Sequence, residues 1–194
     1  MKNTAILIQH IERFTGNLHP TEATAIVSFF TLRTLAKKED IQQANASCDR
    51  LYFVVQGCLR SYYLKEKGIE QTVDFAIENW WLTDYLAFEQ QKLSSFFIQA
   101  VEPTTIFSLS STDFSALLAA HPIMEKYFRS IFQKACGAAQ HRLKFLYEFS
   151  REELYFHFEQ QFPAFVQRIP QYLLASYLGF SPEYLSEIRK KRFS

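Results

Sequence analysis

Between Ser181 and Lys191 the chain gathers side chains suited to meeting a nucleic acid: hydroxyls and carboxylates at Ser181, Glu183, Tyr184, Ser186 and Glu187, then cations at Arg189, Lys190 and Lys191. Hydroxyls and carboxylates exchange hydrogen bonds with base edges, a glutamate accepting from the N4 amine of cytosine, whereas lysine and arginine neutralise phosphate. On helical spacing, Ser181, Pro182, Glu183, Tyr184, Ser186 and Glu187 form the expected base-reading face, and Arg189, Lys190 and Lys191 the expected phosphate contacts. Glu183 admits a second reading, because a carboxylate in a first helical turn also complements the helix dipole.

Such a face needs a frame, and the residues before it supply one. Leu174 and Leu178 stand four apart beside the small Ala175, and Gly179 suits the left-handed conformation that ends a helix. Phe180 fills the turn, Ser181 is a natural helix cap, and Pro182 fits a first helical position, where its missing N–H would be unbonded anyway. Leu185 and Ile188, three apart, turn back onto Leu174 and Leu178. The pattern predicts a helix-turn-helix whose second helix faces a major groove. Five basic residues against two glutamates give residues 168–194 a net charge of +3, in a chain whose formal net charge is +1. The competing account is an ordinary helical hairpin with a solubilising basic tail.

Catalysis has no comparable constellation. The five glycines are isolated, which excludes a phosphate-cradling loop and a dinucleotide fingerprint, and there is no G-x-S-x-G, H-E-x-x-H or clustered carboxylate pair. His10, His19, His121, His141 and His157 are scattered, and Cys48, Cys58 and Cys136 lack metal or cluster spacing, so neither haem nor an iron–sulfur cluster is expected. No metal site and no enzymatic activity are predicted. The opening MKNTAILIQHIERF is too interrupted for a signal peptide and no apolar run reaches membrane-spanning length, so no membrane partner is expected and the expected location is cytoplasmic.

With 194 residues and 48% hydrophobic content, the chain fills one large or two small domains. Ile8, Ile11 and Phe14 predict a first helix, and Pro20-Thr21-Glu22 opens a second through Phe30. From Leu32 to Leu109 short β-branched and aromatic runs (LYFVV, CLRSYYL, IEQTVDFAI, SSFFIQAV, TTIFSLS) alternate with turns at Gly57, Gly68 and Glu102-Pro103, predicting six to eight antiparallel strands. Thr112–Ala119 is a short helix; Pro122 opens a long one in which Met124, Phe128, Ile131, Ala135, Ala139, Leu143 and Leu146 recur every three or four residues. About 25 helical residues span roughly 37 Å, more than a small β-domain covers, so part of the stripe is expected to meet the same helix of a second copy, with packing inside one chain as the alternative. Ser150-Arg151-Glu152-Glu153 is a capping box, which breaks the long helix near Phe149. The expected fold class is α+β: an antiparallel β-roll of the double-stranded β-helix or jelly-roll type flanked by helices, a long dimerisation helix, and an all-α helix-turn-helix. Residues 1–121 are the expected sensor domain, 122–149 the dimerisation helix and hinge, and 150–194 the DNA-binding domain.

In that order of parts the chain resembles the Crp/Fnr family of transcription regulators. The segments LYFVVQGCLRSYYL, NWWLTDYLAF and RIPQYLLASYLGFSPEYLSEIRKK carry the resemblance, the last most specifically. It implies a cyclic-nucleotide-binding-like roll, a dimer helix from Pro122 and a recognition helix from Pro182. It further implies a homodimer bound to palindromic double-stranded DNA, with RNA polymerase and an unidentified small-molecule effector as further partners. A ligand-sensing β-roll dimer that regulates a protein partner, without sequence-specific DNA binding, is the alternative.

The effector pocket departs from the family pattern. A glycine-glutamate pair that holds the ribose there corresponds to Thr83-Asp84 here, and the arginine-serine pair on the cyclic phosphate corresponds to Ser94-Ser95. Without the arginine no bidentate, charge-assisted grip on phosphate remains, so cyclic AMP is not the expected ligand. The dimer-helix hydroxyls that would meet the base correspond to Gly137 and Ala138. Thr83, Asp84, Ser94 and Ser95 stay the candidate pocket for another effector, the other reading being a relic filled by Trp80, Trp81 and Phe97. The resemblance is to a short form of the family, one without an evident wing after the recognition helix.

Overall fold

The computed structural model describes residues 2–191, which form two compact units. The first takes the chain through Tyr63 and again Asp74–Gln133; the second takes Leu64–Val73 and the chain from Lys134 onward.

The first unit opens with helices α1 (Lys2–Thr15) and α2 (Pro20–Val27) and continues into strands β1 (Thr31–Leu35), β2 (Asp40–Gln42), β3 (Arg50–Gln56), β4 (Leu59–Leu64), β5 (Glu70–Ala76), β6 (Trp81–Leu82), β7 (Phe97–Ala100) and β8 (Thr104–Ser110), with helix α3 (Tyr85–Gln90) between β6 and β7 and α4 (Ser111–Ala120) after β8. Two four-stranded sheets result, ordered β1-β8-β3-β6 and β2-β7-β4-β5. The register-paired strands run antiparallel, as the turn spacing predicts. Gly57 turns β3 into β4 at φ 103°, and a Cβ there would lie 2.5 Å from Thr104 Oγ1, so only glycine fits.

The period-two alternation of β3 feeds two cores at once. Tyr52 and Val54 join Leu59, Leu82, Ile98 and Ile106 inside the roll. Leu51, Phe53 and Val55 face the other way, onto Leu7 and Ile11 of α1, Ile26 of α2 and Leu117 of α4. The interior is closed by side chains: the Tyr52 hydroxyl donates to Ile41 O at 3.0 Å, and burial pushes its pKa up to about 12. The α1 face differs from the predicted Ile8, Ile11, Phe14 stripe. It centres on Leu7, His10 and Ile11, because His10 finds a buried partner in the hydroxyl of Tyr127 at 2.8 Å.

Helix α5 (Ile123–Glu148) is 26 residues long, about 39 Å. Met124, Tyr127, Phe128 and Ile131 are buried in the first core. Past Gln133 the heptad-spaced row Cys136, Ala139, Leu143, Leu146 is exposed. In the second unit Ser150 caps α6 (Arg151–Gln161) through the predicted capping box: Glu153 N donates to Ser150 Oγ, and Ser150 N donates to Glu153 Oε2 at 2.9 Å. Helix α7 (Pro163–Arg168) follows, then α8 (Gln171–Leu178) and α9 (Pro182–Lys191).

Candidate nucleic-acid interface

The angle between α8 and α9 is built from local chemistry. Gly179 takes φ 79°, and the N–H groups of Gly179 and Phe180 donate to Ser176 O and Ala175 O, closing the end of α8. Ser181 Oγ accepts from Tyr184 N at 3.2 Å and starts α9. Leu173, Leu174, Ala175 and Leu178 of α8 are buried, as are Leu185 and Ile188 of α9, and the Phe180 ring lies edge-on to Tyr184.

With Leu185 and Ile188 inward, the 100° helical step puts Glu183, Ser186, Glu187 and Lys190 on the outward row of α9. Ser181, Pro182, Glu183, Glu187, Lys190 and Lys191 are exposed; Tyr184, Ser186 and Arg189 are half-buried. The anticipated face is thus brought together, but its members differ in freedom. Hydrogen bonds from its own backbone N–H and from Ser181 hold the Glu183 carboxyl below the usual glutamate range, so it completes the helix start. Lys191 Nζ meets Glu152 Oε1 at 2.7 Å, and that hydrogen bond raises its pKa. Arg189 stands at the opposite rim and lines a cavity of about 560 Å³ with Phe156, Glu159, Pro163 and Val166. The Arg151 guanidinium sits 5.8 Å from the Tyr184 ring.

In the first unit Thr83, Asp84, Ser94 and Ser95 also come together. Asp84 caps α3 by accepting from Ala87 N at 3.1 Å, and its other oxygen accepts from Ser94 Oγ at 3.2 Å and Ser95 N at 3.0 Å. The Thr83 hydroxyl donates to Arg50 O at 2.8 Å, beside Cys48, whose thiol burial pushes up in pKa. The carboxylate takes the donors that a bound anion would need. Trp81 lies in the core, Trp80 is 45% exposed, and Phe97 stacks on Tyr62, so these three do not fill one common pocket.

Residues 32–121 match the family model of the cyclic nucleotide-binding domain. The chain is similar in structure to FixK2 from Bradyrhizobium japonicum, with a TM-score of 0.69 and 16% identity over 84% of this chain and 83% of that one. The c-di-GMP responsive global regulator CLP of Xanthomonas campestris superposes at 0.71, with 14% identity over 89% and 91% of the two chains. The Thermus thermophilus catabolite activator protein superposes at 0.57, with 20% identity over 92% and 85%. The chain has the Crp/Fnr fold. No curated protein sequence matches it.

Within the Crp/Fnr fold, sequence reasoning overlooked Arg151 and Glu152, which stand beside α9 from another helix, and Arg142 and Ser176, which fix α8. Nothing local marks any of them, since Arg142 stands among Gln140, His141 and Lys144 on α5. Among the described residues, no group of three or more His, Cys, Asp or Glu is placed to hold a metal, and no helix is long and apolar enough to cross a membrane.

Proposed function

We propose that this protein is a DNA-binding transcription regulator of the Crp/Fnr type that reads a palindromic site as a homodimer. The observation that carries the reading is α9 itself. It is capped at Ser181, angled by Gly179, and turns Ser186, Glu187 and Lys190 outward, with Arg189 and Lys191 at its rims. The base-reading set is Ser181, Pro182, Glu183, Tyr184, Ser186 and Glu187; Arg189, Lys190 and Lys191 meet phosphate. The exposed row from Cys136 to Leu146 on α5 supports dimerisation, since two such rows bury one another at coiled-coil spacing. Two α9 helices then enter successive major grooves about 34 Å apart. Residues 1–121 act as the sensor, 122–149 as dimer helix and hinge, and 150–194 as the DNA-binding domain. An effector at Thr83, Asp84, Ser94 and Ser95 is not cyclic AMP, because Ser94-Ser95 replace the arginine-serine pair that would grip its phosphate and their donors already serve Asp84.

The test is selection of the purified chain against a random double-stranded DNA pool, without ligand, followed by sequencing. An enriched inverted repeat, lost on changing Arg189, Lys190 and Lys191 to alanine, supports the reading. Glu183 and Glu187 in the outward row favour one second reading, a sensor dimer that docks a basic protein partner through this helix. No enrichment, with DNA affinity that does not depend on salt, selects that reading instead.

A further inference from the structure

The second unit holds a cross-brace. Strand β5 is an edge strand of its sheet, so backbone groups along one side have no neighbouring strand. Its N-terminal half, Glu70–Val73, belongs to the helical unit, and there a side chain of α8 takes the place of that strand. Ser176 Oγ accepts from Thr72 N at 2.8 Å and donates to Glu70 O at 3.0 Å. Those are the two groups an extended partner would pair, and Gln71 Nε2 adds a hydrogen bond to Ser176 O. One residue further along, Arg142 of α5 donates to Val73 O and, at 2.9 Å, to Tyr177 O of α8, with its guanidinium 4.0 Å from the Tyr177 ring centroid.

Beside this contact Thr72 Oγ1 is buried without a hydrogen-bond partner among the described residues. The geometric effect of the brace is specific. The chain runs from α5 to α8 through the break at Phe149-Ser150 and then α6 and α7, a route with several bends. Arg142 bypasses that route by tying α5 directly to α8, and its planar fork fixes direction as well as distance.

We infer that Arg142 and Ser176 are positioning residues that set the separation of the two α9 helices, and hence the spacing between half-sites that the dimer accepts. This rests on the proposed function, in which the α5 row forms the dimer seam. The brace joins α8 to the same helix that carries the seam. With it intact, α9 is held at one distance from the two-fold axis; without it, the bends at Phe149-Ser150 and Phe162 let that distance vary.

The experiment has two arms on the full-length chain. The first selects inverted repeats from a pool with variable spacers, using wild type, R142A, R142K, S176A and S176T. Wild type is expected to enrich one spacer. R142A, R142K and S176A are expected to reduce discrimination against a spacer one base pair longer or shorter about tenfold, and S176T, which keeps the hydroxyl, to retain it. The second arm follows hydrogen exchange of the Thr72 amide, expected to be protected in wild type and S176T and to accelerate about tenfold or more in S176A. A merely structural role would lower the melting temperature without broadening the spacer. Wild-type Thr72 exchanging as fast as in S176A, or all variants keeping one spacer, overturns the inference. A wild type that enriches no repeat while Thr72 stays protected overturns the proposed function and this spacing role with it.

Discussion

The indole N–H of Trp81 donates to the hydroxyl of Tyr127 at 2.8 Å, across 46 residues of sequence. Because an indole nitrogen only donates, the Tyr127 oxygen is the acceptor, and the same hydroxyl lies 2.8 Å from His10 Nδ1. Burial raises the Tyr127 pKa well above its ordinary value, so the hydroxyl keeps its hydrogen at any physiological pH. One phenol thereby joins α1, β6 and α5 inside an otherwise apolar core. Tyr127→Phe removes the acceptor of the Trp81 N–H while preserving the ring, and is expected to cost about 1–3 kcal/mol. Chemical denaturation of the two proteins measures it; a difference under about 0.5 kcal/mol would mean that the network adds nothing to stability.

Asp84 ties α3 to the Ser94-Ser95 turn with three hydrogen bonds. Asp84→Ala is expected to lose about 2 kcal/mol, the sum of a helix cap and the tie to the turn. The wild-type melting temperature is expected to stay unchanged with millimolar cyclic AMP, read by thermal denaturation. A rise with ligand would show that the carboxylate gives way to phosphate.

Cys136 is exposed in the α5 row, whereas Cys48 and Cys58 are buried. At a two-fold seam the two copies of Cys136 approach each other, so mild oxidation is expected to yield a cross-linked dimer on a non-reducing gel, absent in Cys136→Ser. No cross-link under oxidation, combined with a monomeric mass in solution, would remove the dimer from the proposed function.

Hydrogen bonds from the Ser150 side chain and backbone hold the Glu153 carboxyl below its ordinary value of 4.5. A depressed folded-state pKa adds stability that is present above the ordinary value and is lost as pH falls through the folded one. The melting temperature of wild type is therefore expected to exceed that of Glu153→Ala at neutral pH, and the gap to close below pH 4.5. A gap independent of pH would show that the charged form of Glu153 adds nothing to the cap, and a gap of opposite sign would show that the higher helix propensity of alanine prevails.

What the sequence by itself determined is what lies within a few residues of its cause. Gly179, Ser181 and Pro182 fix the turn between α8 and α9, and Ser150 and Glu153 start α6, through contacts five residues apart or fewer, while the β-branched and aromatic run LYFVV marks β3. That is why the β-roll, the long helix and the outward face of α9 were legible from spacing and turn chemistry alone. Only the tertiary structure decided which of those face residues have partners. Glu152 reaches Lys191 from 39 positions away, and Ser176 meets Thr72 from 104. Arg142 sits 69 positions from Val73, and Tyr127 lies 117 from His10. Periodicity records which side of a helix is apolar. It does not record which carbonyl, hydroxyl or ring the folded chain brings opposite a given polar side chain, since that depends on how distant segments fold back on one another.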